Sequence, residues 1–237
     1  MATPSSSPIR PPVGPPIGLV IFDCDGVLVD SEPISMAVLV AELAASGVTM
    51  SLPDVTERFL GRSMKSMCEV LSAEYGFAAG DEFLERVRTS LYARFRAELQ
   101  PVEGIAEAVR RLPVPHCVAS SSQPERIRLS LTVTGLIDLF EPNIFSATMV
   151  SRGKPAPDLF LHASRSMGVS PSACVVIEDS PAGIAAAKAA GMRVFAYAGA
   201  SHSRDAAHRR MLQGLGPDLL FDDMRELGQF VAGEAVR

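Results

Sequence analysis

Short, continuous apolar stretches recur along the chain and are separated by segments with helical periodicity. The first stretch, residues 18–23, reads Gly-Leu-Val-Ile-Phe-Asp and ends in a carboxylate, which is typical of a parallel strand buried on both faces. Similar stretches occupy residues 116–120, 173–178 and 192–197, and shorter ones occupy 143–146 and 218–221. Helical patterns lie at residues 104–112, 124–134, 157–167 and 181–190. This alternation predicts an α/β fold with a parallel sheet.

The segment from residue 32 to 101 breaks that alternation, because it contains four amphipathic helical patterns and no strand-like stretch. Between residues 81 and 99 the apolar side chains share one helical face, formed by Phe83, Leu84, Val87, Leu91, Phe95 and Leu99. Gly47 and Gly76 suit helix ends. We therefore predict a helical domain at residues 32–101, inserted into an α/β core formed by residues 18–31 and 102–237.

Composition and charge narrow the functional classes. The first 17 residues are rich in Pro and Ser, and we expect a disordered leader. The net charge of −5 and the pI near 5.4 argue against a nucleic-acid or membrane-surface partner, and no apolar run approaches the roughly 20 residues that span a bilayer. The four cysteines lack the spacing of a zinc site or a disulfide framework. We expect a cytoplasmic monomer with reduced thiols, and we expect Cys24, Cys117 and Cys174 to be buried.

Polar groups follow several of the predicted strands. The carboxyl ends of parallel strands meet at one edge of the sheet, and this edge should collect Asp23, Asp25, Ser120, Ser121, Ser122, Lys154, Glu178 and Asp179. A carboxylate cluster of this kind would repel itself without a hard divalent cation, and Mg²⁺ prefers such oxygen ligands. The pattern predicts a magnesium site that receives a small-molecule phosphate ester, with Glu178 either a ligand or an outer neighbour.

Four motifs resemble those of one enzyme superfamily. Residues 22–32, Phe-Asp-Cys-Asp-Gly-Val-Leu-Val-Asp-Ser-Glu, resemble the nucleophile motif of the haloacid dehalogenase (HAD) superfamily. Residues 118–122 (Val-Ala-Ser-Ser-Ser), 153–158 (Gly-Lys-Pro-Ala-Pro-Asp) and 176–183 (Val-Ile-Glu-Asp-Ser-Pro-Ala-Gly) resemble its other motifs in the same order. The similarity covers the chain from residue 18 onward and is closest to the branch of β-phosphoglucomutase and sugar-phosphate phosphatases. It implies a Rossmann-like core with an α-helical cap, and a HAD-type phosphoric monoester hydrolase.

The resemblance also implies residue roles. Asp23 would attack phosphorus and form an aspartyl-phosphate, and Asp25 would serve as general acid and base. Asp25 argues against dehalogenation, because the dehalogenases of the superfamily lack this second Asp. The resemblance places Mg²⁺ among Asp23, Asp25, Glu178 and Asp179, and phosphate among Gly26, Ser120, Ser121 and Lys154.

Three residues are candidates for substrate specificity. Arg62 follows Gly61 in a loop of the helical segment, where it would either bind a second anionic group of the substrate or lie at the surface. Glu32 precedes Pro33 and suits the first turn of a helix, with a substrate contact as the second interpretation. Ser122 would either touch substrate or assist the start of the helix that follows it.

Two other functions compete with a phosphatase. Phosphosugar mutases of the same branch carry a His, a Lys and an Arg where this chain has Ser35, Leu60 and Met64, and these departures favour transfer of the phosphoryl group to water. A non-enzymatic phospho-acceptor of the receiver type also uses a strand-end Asp, a Ser or Thr and a Lys. The second Asp and the long helical segment argue against it.

Overall fold

A six-stranded parallel sheet forms the centre of the molecule. The computed structural model describes residues 15–59, 64–203 and 206–233, without the side chains of Lys65 and Ser203. The strands are β1 (Leu19–Phe22), β2 (His116–Ser120), β3 (Ile144–Ser146), β4 (Cys174–Glu178), β5 (Arg193–Tyr197) and β6 (Leu219–Phe221). Their order across the sheet is β3-β2-β1-β4-β5-β6. The prediction of an α/β fold with a Rossmann-like parallel sheet is confirmed.

Helices cover both faces of this sheet. The α-helices of the described residues are α1 (Glu32–Ala45), α2 (Leu52–Phe59), α3 (Met64–Tyr75), α4 (Asp81–Glu98), α5 (Ile105–Arg110), α6 (Pro124–Val133), α7 (Ile137–Phe140), α8 (Asp158–Ser166), α9 (Pro181–Ala189), α10 (Ala206–Gly214) and α11 (Leu227–Ala232). Successive β1 side chains point to opposite faces, so Leu19 and Ile21 pack with α8, α9 and α10. Val20 and Phe22 pack in the other cluster, with α5, α6 and α11. Both faces of β1 are therefore dry, which explains its uninterrupted apolar sequence.

Helices α1 to α4, here called the helical insert, lie between β1 and β2 in the chain. Helix α1 packs against α2 and α4, and the predicted apolar stripe of α4 is buried apart from the partly exposed Leu84. The chain enters and leaves the insert through adjacent segments, because Val29 and Pro101 form an antiparallel bridge. One apolar cluster continues from the sheet into the insert, so the insert as a separate domain of residues 32–101 stays a prediction.

Several smaller predictions can be compared with the structure. Ser180 caps α9 by accepting a hydrogen bond from Gly183 N at 3.1 Å, and the thiols of Cys24, Cys117 and Cys174 are buried and unpaired, as predicted. Residues 1–14 of the predicted leader lie outside the described residues. Among the described helices, none combines the length and the apolar character needed to cross a bilayer.

Candidate active site

The candidate site lies where the strand order of the sheet reverses. Strands β2 and β3 follow β1 on one side, while β4 pairs with β1 on the other. Loops leaving the carboxyl ends of β1 and β4 therefore diverge and open a crevice, which is where parallel sheets bind ligands. Asp23 directly follows β1, and Glu178 is the last residue of β4. This topology brings the two carboxylates together across 155 positions of sequence.

Lys154 joins these two carboxylates. Its Nζ donates to Asp23 Oδ1 and to Glu178 Oε1, at 2.7 Å each, and its side chain is only 4% exposed. The loop between β3 and α8 delivers it, and its ammonium also lies 4.8 Å from the ring centroid of Phe160. Burial opposes its charge, but Asp23 and Glu178 raise the pKa of Lys154 above its ordinary value. Lys154 is therefore a fixed cation at the end of the sheet.

The other carboxylate oxygen of Glu178 orders the turn into α9. Its Oε2 accepts hydrogen bonds from Asp179 N, Ser180 N and Ser180 Oγ at 2.8 to 2.9 Å. A Cβ at Gly183 would overlap the Glu178 carboxylate, so a glycine is needed at that point of α9. One oxygen of Glu178 thus accepts a hydrogen bond from Lys154, and the other accepts hydrogen bonds from the turn that carries Asp179.

Three buried carboxylates form a group that could hold a cation. Ligand atoms of Asp23, Glu178 and Asp179 lie within 4.8 Å of one another. Burial raises the pKa of Asp23 well above its ordinary value, against the opposing charge of Lys154. Burial and the Glu178 carboxylate likewise raise the pKa of Asp179 well above its ordinary value. Such groups ionise fully only when more positive charge is close, and an all-oxygen, carboxylate-rich donor set suits a hard divalent cation such as Mg²⁺.

The Asp25 carboxylate lies apart from that group and is held by three side chains. Its Oδ1 accepts hydrogen bonds from Ser31 Oγ at 2.6 Å and from Arg126 Nη2 at 2.8 Å, and its Oδ2 accepts one from Ser122 Oγ at 2.7 Å. Burial opposes ionisation, but Arg126 and the two hydroxyl donors keep the pKa of Asp25 below its ordinary value. The expectation that Asp25 shares in metal binding stays a prediction that its side chain does not support.

The serines of residues 120–122 take different positions. Ser120 is buried at the end of β2, and its Oγ accepts a hydrogen bond from Ser122 N at 3.1 Å, while Ser121 is exposed. Ser122 donates to Asp25, and its carbonyl accepts a hydrogen bond from Ser146 Oγ at 2.7 Å. Ser122 is therefore tied to the candidate acid and base, whereas Ser120 shapes the loop. Their predicted contacts with phosphate and substrate remain predictions.

Gly26 permits a close approach between the nucleophile loop and Asp179. It has φ +81°, and a Cβ there would overlap Asp179 Oδ2 and crowd His202. Its own N–H donates to Val29 O at 2.8 Å, so in this structure the amide serves the turn. His202 Nε2 lies 3.0 Å from Asp179 Oδ2, and burial lowers the pKa of His202. The His202 imidazole is therefore a buried neighbour in direct contact with the Asp179 carboxylate.

The specificity candidates are only partly covered by the structure. Glu32 begins α1, as predicted for a first-turn charge, and burial together with Asp25 raises the pKa of Glu32 to about 7. Arg62 and Leu60 lie outside the described residues. Of the other positions that distinguish mutases, Met64 is exposed and Ser35 Oγ lies 3.5 Å from Arg126 Nη2.

Three neighbours of the site did not follow from the sequence pattern. Arg126 looks like an ordinary helix residue, Ser31 looks like a helix cap, and His202 lies in a polar segment. Arg126 and His202 acquire their partners only through tertiary contact, since Arg126 is 101 positions from Asp25, whereas Ser31 contacts Asp25 from six positions along the same loop. The position of Arg126 in the first turn after the serine loop was the only signal that could have drawn attention to it.

The four motifs and their geometry agree with a comparison to family models. Residues 17–191 match the model of haloacid dehalogenase-like hydrolases. The chain belongs to this family. The expectation of a HAD-type phosphoric monoester hydrolase is confirmed, because phosphatases occur among its relatives.

Individual relatives of the family are similar over most of their length. The 6-phosphogluconate phosphatase of Escherichia coli K12 is 31% identical over 193 residues, which cover 81% of this chain and 87% of that protein. A haloacid dehalogenase-like protein of unknown function from Agrobacterium tumefaciens superimposes with a TM-score of 0.80 at 37% identity, covering 91% of this chain and 98% of the other. A HAD family hydrolase from Deinococcus radiodurans, solved with phosphate and sodium bound, gives a TM-score of 0.75 at 34% identity, covering 92% and 96%.

Proposed function

We propose that this HAD hydrolase is a Mg²⁺-dependent phosphatase that forms an aspartyl-phosphate on Asp23 and acts on a small sugar phosphate or sugar-acid phosphate. The observation that carries the proposal is the shared contact of Lys154 with Asp23 and Glu178, 2.7 Å from each, at the crevice of the sheet. It supports the proposal because it brings the proposed nucleophile, a buried cation and a second carboxylate together around one point.

The balance of charge supports a divalent cation. Asp23, Asp25, Glu178 and Asp179 face the two cations Lys154 and Arg126, which leaves an excess of negative charge where a phosphate dianion must approach. We propose that Asp23 and Asp179 are the ligands, because Glu178 is already engaged through both oxygens. When bound, Mg²⁺ supplies positive charge that offsets the charge of the transferring phosphoryl group.

The protein's own groups account for the bond changes. An Asp23 oxygen attacks phosphorus, the ester P–O bond breaks, and Asp25 gives its proton to the leaving oxygen. In the second step a water attacks the phosphorus, Asp25 takes the proton of that water, and the bond to Asp23 breaks. Asp25 is ionised in the free enzyme, and the negative charge of an arriving phosphate raises its proton affinity before the first step.

The proposed substrate class is supported by one relative and by two charged residues. The relative from Escherichia coli is named for 6-phosphogluconate, a sugar-acid phosphate. Arg62, which lies between α2 and α3 in the sequence, has the charge to bind a second anionic group, and Glu32 begins α1 near Asp25. These residues would select the part of the substrate that leaves, while the sheet binds the phosphate.

A metal-supplemented screen of phosphorylated sugars and sugar acids, including 6-phosphogluconate, tests the proposal. We expect phosphate release with MgCl₂ and none with EDTA. We expect Asp23→Asn to lower the activity at least about 1,000-fold while leaving the circular dichroism spectrum unchanged. Asp25→Asn, treated with para-nitrophenyl phosphate, whose leaving group needs little acid assistance, should accumulate a phosphoryl group on the Asp23 peptide, seen by mass spectrometry. Substantial activity in Asp23→Asn would contradict the nucleophile assignment, and isomerisation of glucose phosphate without phosphate release would favour the mutase.

A further inference from the structure

Arg126 connects the candidate acid and base to the helical insert. It lies in the first turns of α6, which belongs to the sheet-covering layer, and its Nη2 donates to Asp25 Oδ1 at 2.8 Å. Its guanidinium carbon lies 5.4 Å from the ring centroid of Phe95, a residue of α4 that is 1% exposed. One side chain therefore contacts both a proton-transfer group of the core and a buried aromatic ring of the insert.

The Arg126 guanidinium is held in an unusual way. Its Nε is buried and has no hydrogen-bond partner among the described residues, and its Cζ lies over the Phe95 ring. Burial of a donor without a hydrogen-bond partner destabilises the folded state, so other contacts of the same guanidinium must offset that cost. The offsetting contacts are the ion pair with Asp25 and the cation–π contact with Phe95.

A second link between Asp25 and the insert runs through the start of α1. Ser31 Oγ donates to the same Asp25 oxygen as Arg126, and Ser35 Oγ donates to Ser31 O at 3.0 Å. Ser35 Oγ is also 3.5 Å from Arg126 Nη2, at the limit of a hydrogen bond. The only donor to Asp25 among the described residues that is independent of the insert is Ser122.

We infer that Arg126 is a positioning residue that ties the orientation of the Asp25 carboxylate to the packing of Phe95 from the helical insert. The inference rests on the proposed function, in which Asp25 transfers protons. A proton must move between Asp25 and the leaving oxygen over hydrogen-bond distance, so a small rotation of the carboxylate impairs transfer without weakening phosphate binding. The alignment of the Asp25 carboxylate then depends on how the insert packs against the core.

The test compares two substrates that differ in their need for an acid. The leaving group of glycerol phosphate is an alkoxide, which needs a proton from an acid. The leaving group of para-nitrophenyl phosphate is a stable phenolate, which needs little such assistance. The parameter kcat/KM covers the steps through transfer to Asp23. We expect Arg126→Met to lower kcat/KM for glycerol phosphate by about 100-fold, mainly through kcat, and to lower it for para-nitrophenyl phosphate by less than about fivefold.

Two further variants separate positioning from charge. Phe95→Leu keeps the apolar volume and removes the ring face, and we expect a selective loss of about threefold to tenfold on glycerol phosphate. Arg126→Lys keeps the charge without the planar face, and its kcat/KM for glycerol phosphate should lie between the values of the wild type and Arg126→Met. If Arg126→Met does not fold, Phe95→Leu and Arg126→Lys still decide the question.

The chain offers matched controls on the same helices. Arg128→Met alters an α6 arginine that pairs with Glu141 at the surface, and Phe83→Leu alters a buried α4 phenylalanine that packs on Phe77. Both should keep the ratio of the two kcat/KM values within about twofold of the wild-type ratio.

The outcomes distinguish this inference from the proposed function. Equal losses on both substrates in Arg126→Met, or a wild-type ratio in Phe95→Leu, would overturn the positioning role while leaving the phosphatase intact. Absence of phosphate release by the wild-type protein with Mg²⁺ would instead overturn the proposed function. Asp25→Asn provides the reference, because it should show the strongest selective loss on glycerol phosphate.

Discussion

Lys154 Nζ lies 2.7 Å from Asp23 Oδ1, although 131 positions separate the two residues in the sequence. The contact exists because β1 and the loop after β3 reach the same edge of the sheet. It gives the candidate nucleophile a buried counter-charge that no local element could supply. Several properties of the protein should depend on this arrangement of buried charges.

Removal of the Lys154 charge should destabilise the fold. In Lys154→Met the carboxylates of Asp23 and Glu178 lose a shared partner, and breaking a buried pair in this way costs about 3–5 kcal/mol. Urea denaturation in EDTA measures the loss, and MgCl₂ should recover part of it because a cation replaces part of the charge. Lys188→Met, an exposed change on α9, is the control. A free energy of unfolding within about 1 kcal/mol of wild type would contradict the buried-charge role.

Mg²⁺ should stabilise the protein through Asp179. At a concentration about 100 times its Kd, a bound ion adds about 2.7 kcal/mol to the free energy of unfolding, which corresponds to a Tm increase of roughly 5–10 °C for a chain of this size. Asp179→Asn should lose most of this increase, and the exposed Asp138→Asn should keep it. Differential scanning calorimetry with MgCl₂ and with EDTA measures the effect. An equal increase in both variants would exclude Asp179 as a ligand.

Gly26→Ala should impair activity for a steric reason. Both Gly26 and Gly47 have positive φ, at +81° and +84°, so an alanine is strained by a similar amount at either position. Only at Gly26 would the new Cβ overlap a side chain, that of Asp179, because nothing lies within 4 Å of a Cβ at Gly47.

The pair Gly26→Ala and Gly47→Ala therefore separates strain from steric overlap. We expect both to lose about 1 kcal/mol of stability, and only Gly26→Ala to lose about 100-fold or more in kcat/KM. Activity in Gly26→Ala equal to that of Gly47→Ala would show that Asp179 moves without consequence.

Glu32 should make stability depend on pH. Burial and the charge of Asp25 raise the pKa of Glu32 to about 7 in the folded state, above its ordinary value of 4.5. The folded state therefore binds the proton more tightly, and stability is lost as pH rises from about 4.5 through 7. Glu32→Gln removes this loss, so the variant should gain up to about 3 kcal/mol relative to wild type at pH 8 and little at pH 4.5. Urea denaturation at both pH values, in EDTA, measures the difference. A pH-independent difference would contradict the raised pKa.

The strands and the main active-site edge could be predicted because their signals are local. A strand buried on both faces must be apolar throughout, and each predicted strand begins at, or one residue before, the observed one, as in 173–178 against Cys174–Glu178. Parallel strands must end at one edge, so Asp23 and Glu178 could be placed together without coordinates. Helices α7, α10 and α11 were missed, because α7 and α11 are only four and six residues long and α10 buries only Leu212, so none shows a clear apolar period.

The contacts that orient Asp25 could not be predicted for a different physical reason. Arg126, Ser31 and Ser122 approach it from a core helix, the start of the insert and the loop after β2. Their roles depend on side-chain direction across separate elements, which hydrophobic periodicity does not encode. His202 is a similar case, because its partner Asp179 lies on another loop.

The bridge between Val29 and Pro101 has an evolutionary consequence. Asp30 N donates to Gln100 O at 3.0 Å and Val102 N donates to Leu28 O at 2.9 Å, so the chain that leaves the sheet returns beside itself. These contacts close the excursion of the chain at its base, and doubling the length of such an excursion costs only about 0.6 kcal/mol in closure entropy. The helices of the insert can thus be lengthened or shortened during descent at little cost to the fold, provided that the contact of Phe95 with Arg126 is kept.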